Sequence, residues 1–182
     1  MTGPATVTVR EAVLADAQAV SEVDHASHLA AYSPIFGAGY QPRVSLEQSL
    51  SHWQSVLNGD QPRGSHWELV ACIDDKIVAY ARLTPSRDAD ASPGEVGEVG
   101  ALYVHPDWWR RGVGRVLLDG SLAFLREQGY SIATLWALED NARARAFYEA
   151  EGWQDDGGRQ KLELDLPGVN LTEVRYRKVI AP

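Results

Sequence analysis

Residues 110 to 115 read Arg-Arg-Gly-Val-Gly-Arg. Two glycines sit among three cations, after the apolar run 101–104 and a loop containing Pro106, and before a stretch with the apolar spacing of an amphipathic helix. A helix N-terminus presents N–H groups without intrahelical acceptors, together with the positive end of the helix dipole. Glycine lets a ligand approach that backbone closely and permits backbone angles other residues avoid. The chemistry this stretch could do is to cradle a pyrophosphate, with Gly112, Val113 and Gly114 offering backbone and Arg110, Arg111 and Arg115 offering charge. A glycine-rich turn carrying solvated arginines has the same local sequence, so the surroundings must decide.

The elements that would position this stretch can be read along the chain. Residues 6–12 alternate as a strand. A helix follows over 14–32 with Asp16 as its N-cap, and the Pro- and Gly-containing segment 33–42 reads as a loop. Ser45 and Gln48 form the capping box of a helix over 45–57. Strands 66–73 and 76–84 make a hairpin turning at Asp74-Asp75, and 95–106 is apolar on both faces like a central strand. The long helix runs from about Gly112 to Gln128 and stops at Gly129. A strand over 131–138, a short helix over 141–151 between Asn141 and Gly152, and two strands flanking 167–170 complete the chain. The order β-α-α-β-β-β-α-β-α-β-β predicts an α/β (α+β) fold: one domain over 1–182, with a mixed, mostly antiparallel central sheet flanked by about four helices and two β-α-β crossovers.

Composition narrows the function. The chain has 182 residues, 45% of them hydrophobic, and a net charge of −8 from 17 Lys+Arg against 25 Asp+Glu. Such an acidic chain argues against nucleic acid or an anionic membrane as partner, whereas a local basic patch suits a small anionic ligand. Cys72 is the only cysteine and lies in a strand-like run, so it reads as a buried thiol, with no intrachain disulfide or cysteine-based zinc site. No signal-peptide pattern opens the sequence and no apolar run reaches the ~18 residues of a membrane helix, so a cytoplasmic protein is expected. His25 and His28 stand three apart in the first helix, but no further ligand cluster accompanies them, and no metal is expected.

Two segments together settle the reading of the glycines. "ALYVHPDWWRRGVGRVLL" (101–118) resembles the signature of the GNAT acetyltransferase superfamily: a strand ending aliphatic-x-Val-x-Pro, then Gln/Arg-x-x-Gly-x-Gly/Ala opening a helix. "NARARAFYEAEGW" (141–153) is similar to the family's second element, Asn-x-x-Ala-x-x-Phe-Tyr-Glu-x-x-Gly-aromatic. The resemblance covers the chain strongly from about residue 66; the strand and two helices before it agree in layout. It departs from the family at Trp109, which stands where Gln or Arg is usual. A dinucleotide site would need a third glycine and an early β-α-β start, and Val116–Leu118 follow instead.

The resemblance implies that acetyl-CoA is the co-substrate and that its acetyl group moves to a small-molecule or amino-terminal amine. It implies that the backbone of Leu102, Tyr103 and Val104 meets the pantetheine amides and thioester, because the central strand and its neighbour splay apart in this fold. Glu98 is then the candidate base, on a strand whose alternation puts Glu98, Gly100, Leu102 and Val104 on one face. Glu95 is the poorer alternative. Tyr148 is the candidate acid for the leaving thiolate, Phe147 a core residue, and Asn141 an N-cap, a pantetheine contact or both. By position in the fold, His28, Tyr32, Tyr40, Arg175 and Tyr176 would line the acceptor side. A homodimer is compatible with such folds, though no interface is legible. A non-catalytic acyl-CoA sensor would keep the cradle without turnover; the retained Glu98 and Tyr148 favour the enzyme.

Overall fold

The computed structural model describes residues 6–37, 40–42, 44–59, 64–162 and 171–181. Its strands are β1 (Val7–Glu11), β2 (Trp67–Ile73), β3 (Lys76–Pro85), β4 (Val96–Val104), β5 (Ile132–Leu138), β6 (Gln154–Leu162) and β7 (Leu171–Val179). The helices are α1 (Ala17–Phe36), α2 (Leu46–Leu57), α3 (Val113–Glu127) and α4 (Ala142–Ala150). They build the expected mixed sheet, in the order β1-β2-β3-β4-β5-β7-β6, antiparallel at every pairing except β4 with β5. The two-residue turn that joins β2 to β3 is made by Asp74 and Asp75, both at positive φ.

The sheet has a core on each face. On one, α3 and α4 cover Leu83, Val99 and Leu135, with Leu117, Leu125 and Tyr148 as their contributions. On the other, Val20 and Val23 of α1 and Trp53 of α2 cover Val70, Cys72 and Tyr80. Cys72 is buried as expected.

Four sequence expectations change. Asp16 stands at the start of α1 but does not cap it. Its carboxylate accepts from Arg10 at 2.6 and 2.9 Å and from the Val13 N–H at 2.9 Å, fixing the turn before the helix. The first helix does not stop at Tyr32: α1 continues through Pro34 to Phe36. Proline is tolerated there because only the last turn loses a bond, and the Gly37 N–H closes the helix on the Ser33 carbonyl at 2.9 Å. The chain through α4 does cross to a strand parallel to β5, but β7 is inserted between β5 and β6. Lastly, β4 carries a bulge: Val99 pairs with Leu83 and Ala101 with Arg82, leaving Gly100 as the extra residue. The bulge shifts the alternation. Val99, Leu102 and Val104 pack with the α3 side, while Ala101 and Tyr103 pack with the α1 side. Glu98, adjacent to Val99, therefore shares the α1 face and not the face of Leu102 and Val104. The expected turn at 167–170 lies outside the described residues.

The parallel pairing of β4 and β5 is packed tightly from one side. A Cβ on Gly97 would lie 2.8 Å from Leu125 Cδ2 and 3.1 Å from the Tyr130 ring. Gly97→Ala is expected to destabilise the protein by about 1–3 kcal/mol through overpacking, measured as a lower urea midpoint at unchanged m-value; an unaltered midpoint would contradict this packing.

Candidate functional site

β4 and β5 pair at three positions only, Val96 with Ile132, Gly97 with Ala133 and Glu98 with Thr134. Beyond them the strands part. The His105 N–H donates to the Val78 carbonyl on β3 at 2.9 Å. Successive peptide groups on a strand face opposite edges, so the Val104 carbonyl, and the Leu102 peptide group two residues back, face the edge that β5 has left. This edge borders a cleft of about 460 Å³. Its walls hold Leu102, Tyr103, Val104, Arg110, Gly112, Gly114, Arg115, Asn141 and Tyr148, so most of the predicted cofactor residues do converge.

The helix start behaves as its sequence requires. Gly112 sits at φ 79°, in the left-handed region, and no side chain caps α3. The first helical bond runs from the Val116 N–H to the Gly112 carbonyl, leaving the N–H groups of residues 113–115 without a helical acceptor. Gly112 is needed for its backbone angle: a Cβ there would meet nothing within 4 Å. A Cβ on Gly114 would make ordinary contacts of 3.5 Å with Val104 and Phe147, so anything larger than alanine would begin to fill the cleft.

The Val113 side chain is 1% exposed and belongs to the core, which leaves its backbone, the part expected to serve, at the helix start. Other expected residues stand differently. Arg111 lies over the Trp108 ring, 4.9 Å from its centroid, away from the cleft walls. Arg115 reaches the cleft but also pairs with Glu151 at 3.3 Å. The Val104 carbonyl, expected to be free, accepts from Trp109 Nε1 at 2.6 Å and from Ser27 Oγ at 3.1 Å. Trp109 thereby has a structural task, and its ring carries the Arg143 guanidinium at 3.5 Å. Burial lowers the Arg143 pKa, yet an arginine so shifted stays charged. Arg143 thus adds a cation to the cleft wall. Asn141 accepts from the Ala144 N–H at 3.1 Å, the predicted N-cap.

Phe147 is only partly buried and lines the cleft, whereas Tyr148 is 8% exposed. Among the described residues the Tyr148 hydroxyl has no hydrogen-bond partner, and burial, followed by the nearby Tyr32 hydroxyl, raises its pKa. Such a phenol stays protonated across the neutral range. Glu98 is half-buried; burial first, and then the charge of Asp88, push its carboxyl above the usual range.

A second cavity, of about 310 Å³, lies on the α1 face. Asp24, His28, Tyr32 and Phe36 line it, each four residues after the last, as a single stripe of α1. The predicted acceptor residues His28, Tyr32 and Tyr40 are here. Arg175 and Tyr176 are not. Arg175 holds Asp88, Asp90 and Asp156 at 3.1, 2.6 and 2.9 Å. Tyr176 is buried, donating to Glu149 at 2.7 Å. Tyr32, which lines this cavity, and Tyr103, which lines the cleft, are hydrogen-bonded hydroxyl to hydroxyl at 2.8 Å, so this pair stands between the two.

Asp24 was not anticipated from the sequence, although it lies four and eight residues before His28 and Tyr32 within the expected helix. Its carboxylate accepts from Tyr80 at 2.5 Å and from Ser49 at 3.0 Å, and lies 3.1 Å from His28 Nδ1. His28 Nδ1 also lies 2.9 Å from the Asp24 carbonyl, and its ring stacks on Tyr103 at 4.5 Å. Burial pushes the Asp24 carboxyl up, but hydrogen bonds from His28 and Tyr80 outweigh it, and the net shift is downward. Burial likewise disfavours charged His28, but the hydrogen bond and charge of Asp24 outweigh it and raise its value.

Comparison with known proteins agrees with this architecture. The profile of the Acetyltransferase (GNAT) family matches residues 29–153. An uncharacterized N-acetyltransferase of Bacillus subtilis is 28% identical over 176 residues, covering 92% of this chain and 90% of its own. The PaiA N-acetyltransferase of Thermoplasma acidophilum, solved in complex with coenzyme A, superimposes with a TM-score of 0.68 at 18% identity, over 96% of this chain and 99% of that one. A Salmonella typhimurium protein, YncA, solved with its cofactor acetyl-CoA, gives a TM-score of 0.65 at 20% identity, over 96% and 94%.

The Asp24–His28 pair has a defined pH signature. Asp24 is lowered in the folded state, so its contribution is present above the unfolded carboxylate value of ~3.9 and lost on acidification through the folded value. His28 is raised, so its contribution is full below ~6.5 and lost as pH rises through the folded value. In an NMR titration His28 should titrate above ~6.5, and Asp24→Asn should move it down; an unchanged midpoint would contradict the pairing.

Proposed function

The chain belongs to the GNAT acetyltransferase family, and from that premise we propose that it is a single-domain N-acetyltransferase using acetyl-CoA to acetylate a primary amine in a ternary complex. The observation that carries this reading is the coincidence, in one cleft, of an unpaired β4 edge, an uncapped α3 start and the Tyr148 hydroxyl.

The residues fit such a co-substrate. The N–H groups of residues 113–115 lack helical acceptors and suit a pyrophosphate, supported by Arg110, Arg115 and Arg143 in a chain whose net charge is −8. The Leu102 peptide group, on the edge without β5, suits the amides of a pantetheine arm. Acetyl-CoA supplies a thioester-activated acyl group: a C–N bond forms, the C–S bond breaks, and one proton leaves the amine while one joins the thiolate.

This chain's own residues manage those protons. Tyr148, kept protonated by its burial, has a hydroxyl free to donate to a leaving sulfur. An alkylammonium has a pKa near ~10.4 and must be deprotonated before attack. Glu98 is the proposed base. The bulge at Gly100 turns it to the α1 face, although it is among the lining residues of neither cavity, and its raised pKa increases its basicity. In this reading the proton leaves on the acceptor side of β4 and is returned on the co-substrate side.

Tyr148→Phe is expected to keep its calorimetric affinity for acetyl-CoA while lowering amine-dependent thiol release by about 10²–10³-fold. Full turnover would remove Tyr148 from the chemistry. Binding of acetyl-CoA by the unaltered chain without thiol release to any amine would favour a sensor over an enzyme. Glu98→Gln should erase the acidic limb of the pH–rate profile, and retention of that limb would exclude Glu98 as the base.

A further inference from the structure

The cavity on the α1 face has a composition that restricts what can occupy it. Three rings, Tyr32, Phe36 and Tyr40, form one wall: Phe36 stacks on Tyr40 at 5.2 Å, and Tyr32 meets each of them at 6.2 Å. Leu138 of β5, Leu162 of β6 and Leu171 of β7 also line it. Its volume, about 310 Å³, lies at the small end for ligand pockets.

Among the described residues two carboxylates line this apolar space, Asp24 and Glu173. Asp24 is committed. It holds Tyr80, Ser49 and His28, and with His28 protonated the pair is neutral. Glu173 gives one oxygen to Gln160 at 2.8 Å and has no ion pair with a described residue. It therefore leaves one negative charge beside an aromatic wall. The other titratable lining groups among the described residues are His25 and His28 and the phenols of Tyr32 and Tyr40. His25 Nδ1 is buried without a hydrogen-bond partner among the described residues, an open polar position in an otherwise greasy wall.

Among the described residues, one uncompensated carboxylate with aromatic faces matches one ammonium on an apolar body. A polyamine would bring further charges with no counter-charge, and burying them unpaired is costly. An amino sugar would bring hydroxyls that leucine and phenylalanine cannot satisfy. We propose that this cavity is the acceptor site and that it selects a small monocationic amine with an aromatic body, an arylalkylamine, whose nitrogen lies between Glu173 and the Tyr32–Tyr103 hydroxyl pair that stands between the cavity and the cleft. This assignment rests on the acetyltransferase reading for its catalytic meaning, but the binding it asserts does not.

The test uses the full chain with coenzyme A present and follows binding of 2-phenylethylamine, spermidine and an alanine-initiated tripeptide by calorimetry, independently of turnover. Thiol release from acetyl-CoA is then measured with the same amines. 2-Phenylethylamine should bind at least about tenfold more tightly than the other two, and Glu173→Gln should weaken it by about tenfold while leaving coenzyme A affinity unchanged. Phe36→Leu, which keeps an apolar side chain, should weaken the arylalkylamine and leave spermidine unaffected. Preference for spermidine or for the peptide amino terminus, no binding of the arylalkylamine, or indifference to Glu173→Gln would overturn the assignment. Selective binding of 2-phenylethylamine without thiol release would uphold the pocket and defeat the acetyltransferase reading. Thiol release favouring another amine would do the reverse.

Discussion

Beyond Glu98 and Thr134, β4 and β5 no longer satisfy one another's peptide groups, and the candidate site is arranged around the edge this exposes. An unpaired buried peptide group costs about 1–3 kcal/mol, so a sheet that opens in its middle must meet that cost locally. At the end of β4 two side chains do so: the Trp109 indole and the buried Ser27 hydroxyl both donate to the Val104 carbonyl. Nearer the fork, the edge faces a cleft that water or ligand can enter. The long helix begins at the same cleft with its own unmet N–H groups, so two sets of backbone donors share one opening.

The bulge at Gly100 gives the same strand two functions. Without it, Glu98 would share a face with Leu102 and Val104, beneath α3 and α4. With it, Glu98 and Tyr103 lie toward α1, and the co-substrate cleft keeps an apolar floor. Tyr103 connects the two sides. It lines the cleft, stacks on His28 and meets the Tyr32 hydroxyl in the second cavity. Charge is sorted in a similar way. Cations gather at the start of α3, while Arg175 gathers Asp88, Asp90 and Asp156, tying the loop after β3 to β6 and β7.

Much of this was legible in the sequence because local chemistry dictates it. Glycine at 112 is required by a left-handed backbone angle, Asn141 and Ser45 cap helices through their own side chains, and the succession of strands and helices along the chain follows from apolar patterning. What escaped the sequence depends on tertiary geometry. Period-two alternation put Glu98 on the wrong face because a bulge is a property of pairing with β3. The segment from Ser33 was read as a loop, although a proline in the last turn removes only one bond, and that reading left Phe36 off the Asp24–His28–Tyr32 stripe. Arg175 looked available because nothing local reveals three aspartates arriving from distant segments. Trp109 looked like a departure from a motif; its indole in fact reaches back to the strand five residues earlier.

The central claim is that the open β4 edge and the uncapped α3 start form one cradle. Amide chemical-shift mapping of the full chain on addition of coenzyme A tests it most directly. The account requires the largest perturbations at the N–H groups of Leu102, Val104 and residues 113–115, saturating together at one ligand concentration. Perturbations confined to other surfaces, or movement of one segment without the other, would contradict it.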